Sequence, residues 1–190
     1  MSGVILGFPK IWFLRHGQTE WNVAGRIQGR LDSPLTDLGR EQATQQARIV
    51  DTFAQQVESG SGGIFVSPQG RAQKTAKLAL GSRPFVVDTR LSEINTGEWE
   101  GQLKAEVATQ GSDLEVYSVA PGGEGFSALE ARVRGFLIGL KGPSIVVSHG
   151  LLGQVMRGVI LGLDRPEMSE LTNGQGVVYE LCDGREFVLE

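Results

Sequence analysis

Residues 11–17 read Ile-Trp-Phe-Leu-Arg-His-Gly, and this stretch sets the pattern for the rest of the chain. Four apolar residues follow one another without interruption, which is typical of a strand covered on both faces of a parallel sheet. A cation, an imidazole and a glycine come next, where such a strand would end. Ligands collect at the carboxyl ends of the strands in a parallel α/β sheet, so we expect Arg15 and His16 to lie in a binding crevice.

Three further apolar runs repeat this pattern, and we interpret them as strands at residues 64–66, 85–87 and 145–147. Stretches with helical periodicity separate the runs. One helix is predicted from an N-cap at Thr36 through Phe53 to the glycines at 60–63. Three more are predicted from near Pro68 through Ala79, over 126–140 and over 151–160. Strands that alternate with helices indicate an α/β fold with a mostly parallel sheet.

Two segments depart from this alternation. Residues 177–181 and 186–189 are separated by four residues with Asp-Gly in the middle, which predicts a hairpin on a sheet edge. Residues 101–125 are the least regular part of the chain, and we expect a covering loop there. A chain of 190 residues has room for one substantial core, so we expect a single domain over 1–190 with a cap-like region around 97–126.

Composition and charge argue against several classes of protein. The chain is 40% hydrophobic and 21% charged, as in globular proteins, and residues 1–15 lack the cleavage pattern of a signal peptide. The formal net charge is -4, so no overall field attracts nucleic acid or an anionic membrane. Cys182 is the one cysteine, which excludes an internal disulfide and a thiolate-rich zinc site. We therefore expect a cytoplasmic protein.

The chain has only 2 histidines, and each one follows an apolar run and precedes a glycine. The strand-end argument brings five side chains into one crevice: Arg15, His16, Arg71, Glu93 and His149. Two guanidinium groups fit the oxygens of a phosphoryl group, and a neutral imidazole can attack its phosphorus. Glu93 is the candidate acid for the leaving alkoxide, and His149 adds a donor to the phosphoryl oxygens. The set predicts phosphoryl transfer through a histidine.

Each of these residues also has a structural interpretation. A histidine after a strand is often only hydrogen-bonded, an arginine is often solvated or ion-paired, and most glutamates are plain surface groups. A zinc site built from His16, His149 and Glu93 is possible by residue type. Two nearby arginines would repel the cation, so we expect no metal.

The motifs around these residues resemble those of the histidine phosphatase superfamily, which includes the cofactor-dependent phosphoglycerate mutases. Residues 14–22, Leu-Arg-His-Gly-Gln-Thr-Glu-Trp-Asn, are similar to its signature. The similarity continues in order through 25–29, 32–36, 67–76, 91–101 and 147–150, and so spans nearly the whole chain.

The resemblance implies a phosphoglycerate mutase-like fold: a three-layer α/β/α sandwich with a mostly parallel central sheet and an edge hairpin. It implies that His16 becomes a phosphohistidine, while Glu93 first protonates the leaving oxygen and then activates water. The residues that it implies for binding the substrate are Arg15, Asn22, Gln28, Gly29, Arg71, His149 and Gly150. It implies a small phosphorylated substrate and no cofactor or metal, and we expect a monomer or a homodimer.

Two positions depart from the family pattern. Gly125 follows a Gly-Glu pair where the family often has serine, which puts any substrate contact of that serine in doubt. Gln69 stands where the family commonly has a bulky apolar residue, so we expect a more polar wall to the crevice. Trp99, Tyr117 and Phe126 of the cap could meet an apolar leaving group or pack the loop, and packing is the better expectation.

The residues after Glu93 bear on the choice between hydrolysis and mutase activity. They read Ile-Asn-Thr-Gly, like the phosphatase branch, where the mutases typically have Arg-His-Tyr-Gly. We see no mutase-type insertion or long tail, and a short cover keeps water from a phosphohistidine badly. We expect a phosphomonoester hydrolase acting on a small phosphorylated metabolite. The alternatives are a cofactor-dependent phosphoglycerate mutase and a non-catalytic phospho-ligand binding protein.

Overall fold

A computed structural model describes residues 7–107 and 110–190, so the first six residues of the N-terminal stretch lie outside the described residues. The strands are β1 Ile11–Arg15, β2 Ile64–Val66, β3 Val86–Val87, β4 Ser144–Ser148, β5 Val178–Cys182 and β6 Arg185–Leu189. The helices are α1 Glu20–Val23, α2 Asp37–Val50, α3 Ala54–Glu58, α4 Gly70–Leu80, α5 Lys104–Val107, α6 Asp113–Tyr117, α7 Gly125–Ile138, α8 Gly150–Leu161 and α9 Arg165–Ser169. Short 3-10 turns cover Thr89–Leu91 and Gly97–Trp99.

The strands of the described residues form one sheet in the order β3-β2-β4-β1-β5-β6. The pairs β3/β2, β2/β4 and β4/β1 are parallel, whereas β5 runs antiparallel to β1 and to β6. The mostly parallel sheet with an edge hairpin is therefore confirmed. Asp183 and Gly184 both have positive φ, 52° and 68°, which is the two-residue turn that the Asp-Gly pair predicts.

Strand β1 has its four apolar residues fully buried because helices cover both faces of the sheet. Ile11 and Phe13 join a core cluster with α7 and α8, while Trp12 and Leu14 join a second cluster with α2, α3 and α4. Successive side chains of a strand point to opposite faces, so an uninterrupted apolar run fits a strand between two helical layers. The expected three-layer α/β/α sandwich is confirmed.

The helices that follow β1 and β4 determine where the crevice opens. These strands are parallel neighbours, yet α2 packs on one face of the sheet and α8 on the other. Because the chain leaves the two strands toward opposite faces of the sheet, a gap remains at the carboxyl ends of the strands. Arg15 ends β1, and His149 follows β4 directly, so the gap lies between the two predicted histidine segments.

Three sequence predictions need correction. Val86 and Val87 are exposed because β3 is an edge strand, so its apolar run does not mark burial on both faces. The helix predicted from Thr36 to the glycines is two helices, since the chain turns at 51–53 and Phe53 stacks on Trp12 with ring centroids 4.4 Å apart. Residues 101–125 are not simply a loop, because they include α5 and α6.

Thr36 is the N-cap of α2, as predicted, and its hydroxyl accepts a hydrogen bond from the Gly39 amide. Among the described residues, no helix has the length and apolar character that crossing a membrane requires.

Candidate active site

The predicted site residues surround a cavity of about 210 Å³ at the carboxyl ends of β1, β2 and β4. Eight of them line it: Arg15, His16, Asn22, Gln28, Gly29, Arg71, Glu93 and Gly150. His149 lies behind this lining, fully buried, with its ring centroid 5.2 Å from that of His16. The structure thus brings together segments that are widely separated in the chain.

His16 follows β1 and is almost completely buried. Its Nδ1 lies 2.8 Å from the carbonyl oxygen of Gly17, and its Nε2 lies 3.3 Å from the Nε of Arg71. A carbonyl only accepts and a guanidinium only donates, so the hydrogen of the neutral ring is on Nδ1 and the lone pair is on Nε2. Burial lowers the pKa of His16 well below its ordinary value, and the charges of Arg71 and Arg15 add to this effect. The ring is therefore neutral, with a lone pair on Nε2 that accepts a long hydrogen bond from Arg71.

Arg71 lies in the first turn of α4, where it is 1% exposed. Its terminal nitrogens donate to the carbonyl oxygens of Leu31 at 2.6 Å and Gly29 at 2.9 Å, and one is 3.2 Å from the carboxylate of Asp32. These contacts fix the guanidinium against the loop at 29–32. Burial lowers the pKa of Arg71, while Glu93 and Asp32 raise it. An arginine pKa starts so far above neutrality that the group stays cationic.

Arg15 approaches the cavity from the end of β1. Its Nη1 donates to the carbonyl oxygen of Asn173, and its Nε is buried with no hydrogen-bond partner among residues 7–107 and 110–190. Burial lowers its pKa, and Glu93 is the main group that raises it. The guanidinium therefore remains charged and has one buried donor without a protein partner in the described part of the chain.

The His149 ring lies between the sheet and the cavity. Its Nε2 is 2.6 Å from the hydroxyl of Ser67, and its Nδ1 is buried without a partner in the described part of the chain. Burial lowers the pKa of His149 well below its ordinary value, followed by the charge of Arg71. Nδ1 is thus the nitrogen left over for an additional interaction.

The Glu93 carboxylate caps the N-terminus of helix α8, although 58 residues separate Glu93 from Leu151 in the chain. One carboxylate oxygen accepts from the amides of Leu152 and Ile94, both at 2.9 Å, and the other accepts from Leu151 at 3.1 Å. His149 is the N-cap of α8 but its side chain makes no capping bond. Glu93 therefore supplies the acceptors that the first amides of α8 need.

Gly29 and Gly150 line the cavity with backbone, and a side chain at either position would displace neighbouring side chains. A Cβ on Gly29 would lie 2.3 Å from the Glu100 carboxylate, and its φ is +50°. A Cβ on Gly150 would lie 2.8 Å from the side-chain Nδ2 of Asn173.

The side-chain amide of Gln28 also lies at the cavity. Its Nε2 donates to the Thr19 hydroxyl at 2.9 Å, and its Oε1 has no partner in the described part of the chain.

Two residues of the loop before β5 were not predicted from the sequence. The backbone carbonyl of Asn173 accepts a hydrogen bond from Arg15. The side-chain Nε2 of Gln175 donates to the backbone carbonyl of His16 at 3.0 Å and to the Oδ1 of Asn22 at 3.4 Å. Strand β5 runs antiparallel to β1, so the loop that enters β5 lies beside the carboxyl end of β1. The edge hairpin predicted from the sequence did not carry this information, because it fixes the direction of β5 relative to β6 and not relative to β1.

The two departures from the family pattern have structural outcomes. Gln69 is buried and does not line the cavity, so the prediction that Gln69 makes the cavity wall more polar is wrong. Gly125 begins α7 with φ +74°, a conformation that disfavours serine. Of the three aromatic cap residues, only Tyr117 lines the cavity; it also packs on the core, and Phe126 lies under the Arg165 guanidinium.

The segment 97–126 contributes Lys104, Asp113 and Tyr117 to the lining of the cavity. Lys104 of α5 and Asp113 of α6 line it and form an ion pair with each other. Within the described ranges, no three histidine, cysteine, aspartate or glutamate side chains are grouped so that they could hold a metal ion. The positive charge of the cavity lining comes from Arg15, Arg26, Arg71 and Lys104.

Known proteins resemble this chain over most of its length. It is 34% identical to the glucosyl-3-phosphoglycerate phosphatase of Mycolicibacterium vanbaalenii over 176 residues, which cover 81% of this chain and 75% of that protein. It is 34% identical to the probable phosphoglycerate mutase GpmB of an Enterobacter species over 169 residues, which cover 81% and 75%. The alpha-ribazole phosphatase of Shigella flexneri matches in structure with a TM-score of 0.73 and 27% identity, over 95% of this chain and 93% of that chain.

The family assignment follows from the sequence as well as from the fold. The family description of the histidine phosphatase superfamily, branch 1, matches residues 11–189, which include every predicted site residue. The chain therefore belongs to the histidine phosphatase superfamily.

Proposed function

We propose that the protein is a phosphomonoester hydrolase that forms a phosphohistidine on His16 and acts on a small phosphorylated metabolite. The observation that carries this proposal is that His16 is neutral and holds its lone pair on Nε2 at the cavity. Its Nε2 holds a lone pair beside the Arg71 guanidinium, in a cavity that Arg15 and Glu93 also line. A neutral imidazole next to two fixed cations is suited to attack a phosphate dianion, which water attacks only slowly.

In the first step, the Nε2 lone pair of His16 attacks phosphorus and the bond to the ester oxygen breaks. The leaving oxygen takes a proton from the Glu93 carboxyl group. The carboxylate oxygen Oε2 is the candidate for carrying that proton, because it accepts one amide hydrogen bond whereas Oε1 accepts two. The Gly17 carbonyl keeps the hydrogen of the ring on Nδ1, and so stabilises the positive charge that develops on the imidazole.

In the second step, water attacks the phosphorus of the phosphohistidine and the bond between phosphorus and Nε2 breaks. Glu93, now a carboxylate, accepts the proton of the water, and inorganic phosphate leaves. His16 regains its lone pair and Glu93 its proton, so the pair is ready for another cycle.

The phosphoryl oxygens would be held by Arg15 and Arg71, with Asn22, Gln28 and His149 around them. The Asn22 oxygen accepts from the Thr19 amide at 3.0 Å, which leaves its Nδ2 as the donor for an anion. A half-turn of the Gln28 amide would let the Thr19 hydroxyl donate to Oε1 and would free Nε2 for the phosphoryl group. His149 would reach the same oxygens with a hydrogen on Nδ1 and a small shift of the lining. The Ser67 hydroxyl would then turn its hydrogen from Gln69 to the Nε2 of His149.

The remaining parts of the proposal concern the whole chain. Residues 1–190 would form one domain in which the segment 97–126 selects the leaving group, since Lys104, Asp113 and Tyr117 line the cavity. The arginines would supply the positive charge for which other phosphatases use metal ions. We also propose a cytoplasmic monomer or homodimer, supported by the single cysteine and the net charge of -4.

Phosphate release from a panel of phosphomonoesters tests this function. Wild type should release phosphate, and His16→Ala should lose more than about a thousandfold in kcat/KM. Arg134→Ala, an exchange in an exposed ion pair on α7, is the matched control and should retain activity. Release that survives in His16→Ala would overturn the role of the histidine.

The same experiment separates the two alternatives. A phosphoglycerate mutase would interconvert phosphoglycerates faster than it releases phosphate. A non-catalytic binding protein would bind phosphate esters without any activity that His16→Ala could remove.

A further inference from the structure

Gln69 connects the segments that carry the proposed site, although it does not line the cavity. It is 8% exposed and precedes α4, where its backbone acts as the N-cap while its side chain makes no capping bond. The side-chain amide instead donates from Nε2 to the Gly29 carbonyl at 2.8 Å. Its Oε1 accepts from the amide of Glu93 at 2.9 Å and from the hydroxyl of Ser67 at 3.0 Å.

The orientation of this amide is fixed by its partners. The Glu93 amide can only donate and the Gly29 carbonyl can only accept, so Oε1 must face Glu93 and Nε2 must face Gly29. Gly29 also accepts from Arg71, and Ser67 also contacts His149 at 2.6 Å. One buried side chain thus joins the acid segment, the loop that anchors Arg71, and the partner of His149.

We propose that Gln69 is a positioning residue that holds the backbone of Glu93 so that its carboxyl group meets the leaving oxygen. This inference rests on the proposed phosphatase function. The Glu93 carboxylate is held by the first amides of α8, and its backbone amide is held by Gln69. An apolar side chain at 69 would leave that partly buried amide without its acceptor, and the segment would have to shift to find another.

The leaving group provides a readout that separates positioning of the acid from general support of the fold. An alkoxide needs a proton to leave, whereas p-nitrophenolate leaves without one. A misplaced Glu93 therefore slows phosphoryl transfer from an alkyl ester far more than from p-nitrophenyl phosphate. The parameter to compare is kcat/KM, because it reports the first phosphoryl transfer and excludes hydrolysis of the phosphohistidine.

The test compares Gln69→Met, the apolar side chain closest in shape, with wild type on two substrates. One is p-nitrophenyl phosphate, and the other is the alkyl ester that wild type hydrolyses best among glycerol 3-phosphate, phosphoserine and 3-phosphoglycerate. We expect Gln69→Met to lower kcat/KM for the alkyl ester by about 10-fold to 100-fold, since a displacement of about 1 Å has effects of this size. The loss on p-nitrophenyl phosphate should be at least about tenfold smaller.

Ser67→Ala is the matched control, because it removes the hydroxyl that contacts His149 and Gln69 but leaves the two Gln69 contacts that hold Glu93 and Gly29 in place. It should lower kcat/KM equally for both substrates, since both present the same phosphoryl group. Gln69→Leu is a second apolar replacement if the methionine variant does not fold.

Equal losses on both substrates in folded Gln69→Met would overturn the positioning role and leave the phosphatase function intact. Wild type without activity on either substrate would overturn the phosphatase function, and the positioning role with it.

Discussion

The Nε of Arg71 donates a hydrogen bond to the Nε2 of His16 across 3.3 Å, although 55 residues separate the two in the chain. This contact assigns the lone pair of the neutral imidazole to Nε2 and its hydrogen to Nδ1. It also lies next to a cavity, so a phosphoryl group that enters between the two side chains would meet both a nucleophile and a cation.

The first prediction is that the phosphoryl group is carried by Nε2 of His16 and not by Nδ1, because Nδ1 is bound to the Gly17 carbonyl at 2.8 Å. Brief incubation with substrate, an alkaline quench and phosphorus NMR of the denatured protein identify the nitrogen. His16→Asn should show no phosphorylated species. A signal from the Nδ1 isomer would contradict the assignment.

The second prediction concerns the pH dependence of the first step. Burial and the two arginines lower the pKa of His16, so the neutral nucleophile persists below pH 6.5. Glu93 must be protonated to act as the acid, so kcat/KM for an alkyl ester should be greatest on the acidic side of neutral. A pH profile measured at constant ionic strength checks this. A flat profile, or one that rises toward alkaline pH, would count against these roles.

The third prediction links the buried histidines to stability. Both have a pKa lowered well below 6.5 in the folded protein, mainly by burial and then by Arg71. As the pH falls through 6.5, the unfolded chain takes up protons that the folded protein does not, so stability is lost on the acidic side. Each histidine contributes up to about 1.4 kcal/mol per pH unit in that range.

Urea denaturation between pH 7.5 and 5.5 measures this effect. His149→Gln should show a weaker loss of stability than wild type over the same interval. An identical pH dependence in the two proteins would mean that the pKa of His149 is the same in the folded and unfolded states, which contradicts the prediction.

The fourth prediction concerns the support of the loop before β5. Arg157 of α8 is fully buried, contacts both oxygens of Glu186 at 2.6 and 2.7 Å, and donates to the Thr172 carbonyl at 2.6 Å. Glu186→Gln leaves a buried cation without its charge partner, and should lower the free energy of unfolding by about 3 kcal/mol. Glu130→Gln, in the exposed pair with Arg134, should change it by less than about 0.5 kcal/mol.

Thr172 directly precedes Asn173, which binds Arg15, so Glu186→Gln should also raise KM. Chemical denaturation and steady-state kinetics of the two variants provide the comparison. A Glu186→Gln protein as stable as the Glu130→Gln protein would contradict the prediction.

The fifth prediction compares two glycine-to-alanine changes. Gly39 packs against the backbone after β1, where a Cβ would lie 2.0 Å from the Gln18 carbonyl oxygen. Gly39→Ala should therefore destabilise the protein by about 1–3 kcal/mol or more, as overpacking does in other cores. Gly135 is an exposed position of α7 with nothing within 4 Å of its Cβ, and Gly135→Ala should stabilise by about 1 kcal/mol. Thermal and urea melts of both variants test the pair.

The sequence was most informative where the signal is local. The apolar run of β1, the N-cap at Thr36 and the Asp-Gly turn are properties of neighbouring residues, and all three are confirmed. The prediction of one long helix after Thr36 was wrong because the turn at 51–53 is stabilised by the stacking of Phe53 on Trp12. That contact joins two distant parts of the chain, and helical periodicity does not report it.

The residues of the candidate site were accessible from sequence for a similar reason. Charged and imidazole side chains that follow apolar runs must meet at one edge of a parallel sheet, so the residue types indicated phosphate chemistry before any contact was known. Asn173 and Gln175 were missed because they precede an antiparallel strand, and Gln69 was assigned to the cavity wall because its partners on two other loops leave no local trace.

The sequence by itself determined the layered α/β fold, the meeting of Arg15, His16, Arg71 and Glu93 at one cavity, and the membership of the family. The tertiary structure decided which nitrogen of His16 carries the lone pair, where the Glu93 carboxylate is bound, and what Gln69 holds. The physical reason is the range of the interactions. Strand and helix patterns arise from burial along a few neighbouring residues, whereas the hydrogen bonds that set protonation and orientation join groups that meet only after the chain has folded.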